Sequence, residues 1–334
     1  MMLKSCFKLA TGIALAATVM VGGTALAQDR TGWPSSIKIG TASQGGVYFV
    51  YGAGWGNLVQ EFLGVNSTAE VTGGPTQNMA LVHAGDLEFG MTTMGPGYDT
   101  WAGESEIAPG VKMQNVRAMF PMYQTPFQII ALQRSGISKV ADLNGKRVGV
   151  GPRGGTAGAY WPRYFADLGL RVNVSYGGAS DQVGQVQDGL IDAFAFAAGV
   201  PIPAFSQLEA QHPANVFSVN EEEMVKLLAK YPSISRFDLP ATAYRSLDKS
   251  TPTIAMWNFA IASKDMPESL VYEIMKVVLD NNDRMLQIHR SAVETLPENM
   301  VNNGFMWFHP GAIRYYREKG FDVPDHLIPP EAKS

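Results

Sequence analysis

The stretch Gly40–Val59 reads GTASQGGVYFVYGAGWGNLV, and its grammar sets the reading of the whole chain. A short apolar run, Ile37–Ile39, predicts a strand that breaks into small residues and then into an apolar run with helical spacing. Small residues at a strand-to-helix turn let the backbone approach a ligand, and the first helical N–H groups have no partner inside the helix. Such a turn can hold an anion or simply connect two elements.

The pattern continues outward. Val47, Val50, Tyr51, Gly54, Trp55, Leu58, Val59 and Phe62 make one helix, which Gly64 ends. Ser67–Val71 reads as a strand, Thr72–Thr76 as a second small-residue turn, and Met79, Leu81 and Val82 as a helix closed by Gly85. Leu87–Met91 is then a buried strand running into the turn Thr92-Thr93-Met94-Gly95. The same plan returns in a second unit. Arg147–Val150 is a strand, GPRGGT (Gly151–Thr156) a glycine loop, and Ala157–Leu168 a helix closed by Gly169. Arg171–Tyr176, the turn Gly177–Ser180, the helix Asp181–Gln187 and the strand Ile191–Ala197 complete it.

Strands alternating with helices predict parallel sheets covered on both faces. Two such units predict an α/β fold of two lobes, each with a parallel or mixed sheet flanked by helices. Ligand sites in open α/β sheets lie at the carboxyl ends of strands, where both glycine loops sit. Phe127–Leu132 and Thr253–Ser263 are apolar strand-like runs read as the crossings between lobes. The boundaries expected are 28–132 plus 257–334 for the first lobe and 133–256 for the second. A helix with Leu270, Ile274, Val277 and Val278 on its apolar face starts near Pro267. Glu221–Lys230 is a further amphipathic helix, and Pro310–Lys319 a last one stopped by Gly320.

At 334 residues, 46% apolar and 17% charged, the chain can build a large core. Residues 1–27 read as an export signal: Lys4 and Lys8 lead an uncharged run that closes on Ala25-Leu26-Ala27. Cleavage after Ala27 leaves a periplasmic chain without cysteine, since Cys6 departs with the signal. Loss of the two lysines takes the net charge from −4 to −6, which gives no support to a nucleic-acid or anionic-membrane partner. No later segment is long and apolar enough to span a bilayer. A monomer that is not embedded in the membrane is expected.

The chemistry is sparse. The five histidines, His83, His212, His289, His309 and His326, form no metal-binding spacing, and there is no Cys/His zinc set. No G-x-S-x-G elbow or phosphate-loop lysine is present. Asp86 and Asp192 read as turn residues rather than an acid/base pair. No cofactor, metal or catalytic group is expected. What remains is a binding site of hydroxyls (Thr41, Ser43, Thr92, Thr93 and Thr156) and loop N–H groups at Gly45-Gly46 and Gly154-Gly155. Tyr48 could donate its hydroxyl to a carboxylate, and Arg153, the one cation in a glycine loop, could pair with one.

Six stretches taken in order resemble the TAXI family of TRAP-transporter solute receptors. They are GTASQGGVYF (Gly40–Phe49), TGGPTQNMALVHAGDLEFG (Thr72–Gly90), DLNGKRVGVGPRGGT (Asp142–Thr156), GGASDQVGQVQDGLIDAFAFAAGVP (Gly177–Pro201), TPTIAMWNFAIASKDMPESLVYEI (Thr251–Ile274) and HPGAIRYYREKG (His309–Gly320). The resemblance implies a two-lobed, type II-like periplasmic binding protein that closes on a small organic anion and delivers it to a TRAP-type permease. Glutamate and related dicarboxylates are the ligands it suggests. The matched contact regions imply a site of Ser43, Gly46, Val47, Tyr48, Thr92, Thr93, Arg153, Gly155, Thr156, Ala157, Ala197 and Gly199. Arg153 replaces a small residue of the family's G-x-P-G-S-G-T loop. Gly90–Gly95 replaces its A-L-V-Q-S-D. Both departures suit an oxo- or hydroxy-dicarboxylate. The competing readings are a receptor for an ABC importer or a sensor kinase and, further off, a secreted α/β enzyme.

Overall fold

The computed structural model describes residues 29–333, so the expected export signal lies outside the described residues. Three parallel strands open the fold: β1 (Ser36–Gly40), β2 (Asn66–Glu70) and β3 (Phe89–Thr93). They alternate with helices α1 (Val47–Leu63), α2 (Pro75–Ala84) and α3 (Met94–Ala102). Left-handed Gly64 and Gly85 end α1 and α2 where the sequence predicts, their φ of 67° and 83° being open to glycine without strain. The long strand β4 (Val116–Leu132) leads to the second unit. Its parallel strands β5 (Arg147–Gly149), β6 (Asn173–Ser175) and β7 (Ala193–Ala197) alternate with α4 (Thr156–Asp167) and α5 (Ala179–Gln187).

After that come α6 (Pro203–Gln211), β8 (Ala214–Phe217), α7 (Glu221–Lys230) and β9 (Ser235–Leu239). The returning strand β10 (Thr251–Ser263) precedes α8 (Glu268–Leu279), α9 (Asn282–Ile288) and α10 (Pro310–Glu318), with short 3-10 turns between and after them.

The expectation of two sheets is met with a modification. The strands form one continuous mixed sheet in the order β2-β1-β3-β10-β4-β7-β5-β6, with β8 beside β4 and β9 beside β10. Two parallel trios are thus joined by the antiparallel pair β4 and β10. Residues Val116–Pro126 of β4 pair with β10, and Phe127–Leu132 pair with β7 and β8. In β10, Asn258–Ala262 pair with β3 and Thr251–Ala255 with β9. Each crossing strand therefore changes company near its middle. Almost every residue of β4 is buried, so it reads as a continuous apolar run instead of alternating.

The sheet's covering is aromatic. Trp55 of α1 packs edge-on against Phe89 and Phe120, and Trp161 of α4 stacks on Phe165 and meets Phe127 edge-on. His309 and His83 have structural partners. Neutral His309 accepts at Nδ1 from the Gly311 N–H, capping α10, and donates from Nε2 to the Met266 carbonyl. The His83 Nδ1 accepts from the Asn115 N–H.

Burial pushes the His309 imidazole down from about 6.5 to about 3, with nearby Arg117 acting in the same direction. The unfolded chain therefore binds a proton that the folded chain refuses between those values. This stability is fully present above pH 6.5 and is lost as pH falls toward 3, at up to about 1.4 kcal/mol per pH unit. Urea unfolding at pH 7 and pH 5 is expected to show a flatter dependence in His309→Asn than in the wild type.

Candidate functional site

Four helices begin around one narrow cavity between the two units, about 30 Å³ in the closed arrangement described. Gly46 and Val47 bring the start of α1, Gly73 and Pro75 that of α2, Thr93 that of α3, and Gly155 and Thr156 that of α4. None of these helices has an acidic residue in its first turn or a side chain capping its N-cap, and in α1, α2 and α4 the N-cap is glycine. Only some helices elsewhere are finished differently, since α6 likewise has neither a side-chain cap nor a first-turn acid. Asn220 and Glu223 form a capping box on α7, and His309 caps α10. First-turn N–H groups carry partial positive charge and seek an acceptor. Leaving them without side-chain caps at a shared cavity, as in α1, α3 and α4, is the arrangement that receives an anion. The start of α2 adds less, since Pro75 has no N–H and the Thr76 N–H is taken by the Gly154 carbonyl.

The other walls are apolar: Ala42, Pro152, Phe196, Ala197 and Ala198 complete the lining with Ser43, Tyr48 and Thr125. Among the described residues lining the cavity, none is charged. The polar side chains form a buried cluster built on Asn258. Its Nδ2 donates to the Tyr123 carbonyl and to Thr125 Oγ1, both at 2.6 Å, and its Oδ1 accepts from Tyr48 at 2.7 Å and Thr93 at 2.8 Å. Thr93 and Thr156 meet across the cleft at 2.7 Å.

The position of Asn258 has a backbone cause. The pairing of β10 with β4 slips between Trp257 and Phe259, opposite Pro121, which has no N–H for the ladder. The Asn258 amide supplies a donor to the Tyr123 carbonyl beside that slip. Burial holds the phenols of Tyr48 and Tyr123 far above their ordinary range, so both stay neutral.

The two units touch on either side of the cavity. The opening glycine loop offers its acceptors to helix starts opposite: Ser43 Oγ accepts from the Ala179 N–H at 3.2 Å, the Gln44 carbonyl from Ser180 at 3.2 Å, and the Gly45 carbonyl from Ala204 at 3.1 Å. At the other glycine loop the Thr76 N–H donates to the Gly154 carbonyl at 3.1 Å. Space is tight there, since a Cβ on Gly74 would stand 3.1 Å from Gly155 Cα, and one on Gly154 3.1 Å from the Gly73 carbonyl. Beyond the cavity, Arg163 of α4 meets Asp99 of α3 at 3.4 Å and Glu106 at 2.9 Å. Burial raises the Asp99 carboxyl above its usual range despite that guanidinium. These groups flank a wider groove that includes Tyr98, Tyr160, Trp257 and Phe305.

Of the residues expected from the sequence, Ser43, Gly46, Val47, Tyr48, Thr93, Gly155, Thr156 and Ala197 come together around the cavity. Thr92, Arg153, Ala157 and Gly199 are not in its lining. Thr92 neighbours Thr93 on a strand, so the two side chains leave opposite faces, and Thr92 lies against Gly97. The Arg153 guanidinium is exposed and stacks on the Tyr176 ring at 3.9 Å, outside the cavity. Ala157 is buried in the first turn of α4. Gly199 packs against Tyr123 and Ser291.

One expected role is reassigned. Tyr48 spends its proton on Asn258 and does not hold it ready for a carboxylate. Reading the sequence also missed Thr125, Phe196 and Asn258. Asn258 had a visible signal, being the lone amide in the apolar run TIAMWNFAIAS. The helix α3 is missed too, because Thr92-Thr93-Met94-Gly95 reads as a turn. Packing demands that glycine: a Cβ on Gly95 would fall 2.7 Å from Met256 Sδ and from the Tyr160 hydroxyl.

Among the described residues no group of three or more His, Cys, Asp or Glu could hold a metal ion, and no helix is long and apolar enough to cross a membrane.

Solved structures share the architecture at low identity. The periplasmic binding protein BugD matches with a TM-score of 0.55 at 13% identity, covering 86% of this chain and 98% of its own. A protein of Bordetella bronchiseptica RB50 matches with a TM-score of 0.50 at 14% identity, covering 90% of this chain and 86% of its own. The fold is therefore that of the periplasmic binding proteins. With residues 39–320 matching its sequence pattern, the chain belongs to the NMT1-like family.

Proposed function

We propose that the chain is a periplasmic solute receptor that closes its two lobes on a small organic anion and presents it to a membrane permease. The observation that carries this reading is the meeting of four helix starts without side-chain caps at one cavity between the units. Each helix start favours an anion by about 0.3–1 kcal/mol, and by up to about 2 when partly buried. Together they supply roughly 1–4 of the 8 kcal/mol that micromolar binding needs. Hydroxyls and apolar contact supply the rest.

The ligand class proposed is a C4–C5 dicarboxylate such as glutamate, 2-oxoglutarate or a related oxo or hydroxy acid. The permease proposed is of the TRAP type and the receptor of the TAXI kind, on the strength of the six sequence stretches in family order. Export with cleavage after Ala27, and lobes of 28–132 plus 257–334 and 133–256, belong to the same proposal. No catalytic role is assigned, because the cavity offers hydroxyls and backbone dipoles but no nucleophile–base pair.

A ligand bound only by the folded state raises the unfolding temperature. Thermal unfolding against a panel of mono- and dicarboxylates is expected to rise for small dicarboxylates; a flat panel would remove the anion assignment. Arg153→Ala is expected to leave affinity within about threefold, since an exposed charge stacked on Tyr176 is screened by water. A tenfold loss in calorimetric titration would return Arg153 to the ligand.

A further inference from the structure

Resting on the proposed capture of a carboxylate, we infer that the ligand carries a hydrogen-bond donor, a hydroxyl or an amine, on the carbon beside a carboxylate. The Tyr48 and Thr156 oxygens are the groups that receive it.

The inference follows from counting protons in the buried cluster. The Asn258 amide cannot be turned over. Its Nδ2 stands 2.6 Å from the Tyr123 carbonyl, which only accepts, so Oδ1 must face Tyr48 and Thr93. Asn258 is fully buried and its Oδ1 has two acceptor sites, filled by the Tyr48 and Thr93 protons. Thr93, having given its proton away, accepts from Thr156 at 2.7 Å. Three hydroxyls thus spend three protons inside the cluster, and none remains for the 3.1 Å contact between Tyr48 and Thr93.

What the cluster turns outward is therefore lone pairs on Tyr48 and Thr156. Tyr48 could donate to a ligand only by giving up its 2.7 Å bond to the buried amide oxygen, which would then keep Thr93 as its one donor. Donors for the carboxylate come from elsewhere in the cavity. Ser43 Oγ accepts from Ala179 and Thr125 Oγ1 accepts from Asn258, which leaves each hydroxyl proton free, and the α1 and α4 starts add N–H groups.

The cavity thus has a donor side and an acceptor side. A 2-hydroxy or 2-amino acid satisfies both. A 2-oxo acid sets an oxygen lone pair against the hydroxyl oxygens, and a plain diacid leaves them dry and unpaired.

Four acids with one carbon skeleton separate these cases: 2-hydroxyglutarate, glutamate, 2-oxoglutarate and glutarate, titrated calorimetrically into the purified protein. The expected result is binding of 2-hydroxyglutarate or glutamate at least tenfold tighter than of 2-oxoglutarate and glutarate. In Tyr48→Phe that ratio falls toward one. Thr156→Val, close in shape, is expected to narrow it as well. Equal or tighter binding of 2-oxoglutarate by the wild type overturns the inference and leaves the carboxylate receptor standing. Failure of all four acids, and of their shorter homologues, overturns the receptor reading and the inference with it.

Discussion

Gly154→Val is expected to weaken ligand binding at least tenfold while leaving the unfolding temperature of the ligand-free protein little changed. Gly154 lies at the lip of the second glycine loop, where its carbonyl accepts from Thr76 and a Cβ would stand 3.1 Å from the Gly73 carbonyl. Its φ is outside the left-handed region, so a side chain strains nothing within its own loop. The obstruction exists only when the two units meet. A branched side chain there holds the lips apart, admits water to the cavity and separates the α2 start from the α4 start. Tenfold corresponds to about 1.4 kcal/mol, less than the loss of one charge-assisted hydrogen bond. Titration of the wild type and the variant, with thermal unfolding of both in the absence of ligand, reads the two quantities separately. A fall in ligand-free stability with unchanged affinity would make Gly154 a residue of its own lobe and not of closure.

Asn258→Leu is expected to have the largest effect on stability. The side chain is fully buried and serves two hydroxyl donors, one hydroxyl acceptor and the Tyr123 carbonyl. Leucine has the same branching but more bulk, and it leaves those groups without partners. At about 1–3 kcal/mol for a stranded buried group, and with some rearrangement among the hydroxyls, the cost is about 3–5 kcal/mol. In a chain of this size that lowers the unfolding midpoint by roughly 5–8 °C. Asn258→Asp keeps the acceptor toward Tyr48 and Thr93 but sets a carboxylate against the Tyr123 carbonyl, so it is expected to destabilise by a comparable amount at pH 7. A change under 2 °C in either variant would mean that the cluster is satisfied by other means.

The elements legible in the sequence were those whose local signals agree with their tertiary setting. Gly64, Gly85, Gly169 and Gly189 follow or closely follow helices, all at positive φ. The paired plan of strand, glycine loop and helix located both parallel trios. It could not show that β4 begins at Val116, eleven residues before the strand expected from Phe127, because Pro121 and Pro126 look like breaks. They are tolerated where the ladder with β10 slips and where β4 changes partners.

The site was legible where backbone chemistry makes it. Gly46, Val47, Gly155 and Thr156 sit at helix starts, and helix starts are readable. It was not legible where side chains from distant segments share protons. Tyr48 looks like a donor in its own sequence and becomes an acceptor only because Asn258, 210 positions away, takes its proton. Arg153 looked like the specific partner for a ligand, yet Tyr176 claims its guanidinium face.

Calorimetric titration of the purified protein with small dicarboxylates, alongside the matched neutral diamides, tests the central claim most directly. Helix starts and hydroxyl donors that converge on one cavity distinguish a carboxylate from an amide of the same shape by charge. Binding of at least one dicarboxylate in the micromolar range or tighter, with its diamide at least a hundredfold weaker, is the result the structure predicts. Equal affinity for acid and amide, or binding of neither by a protein that is fully folded, would contradict it.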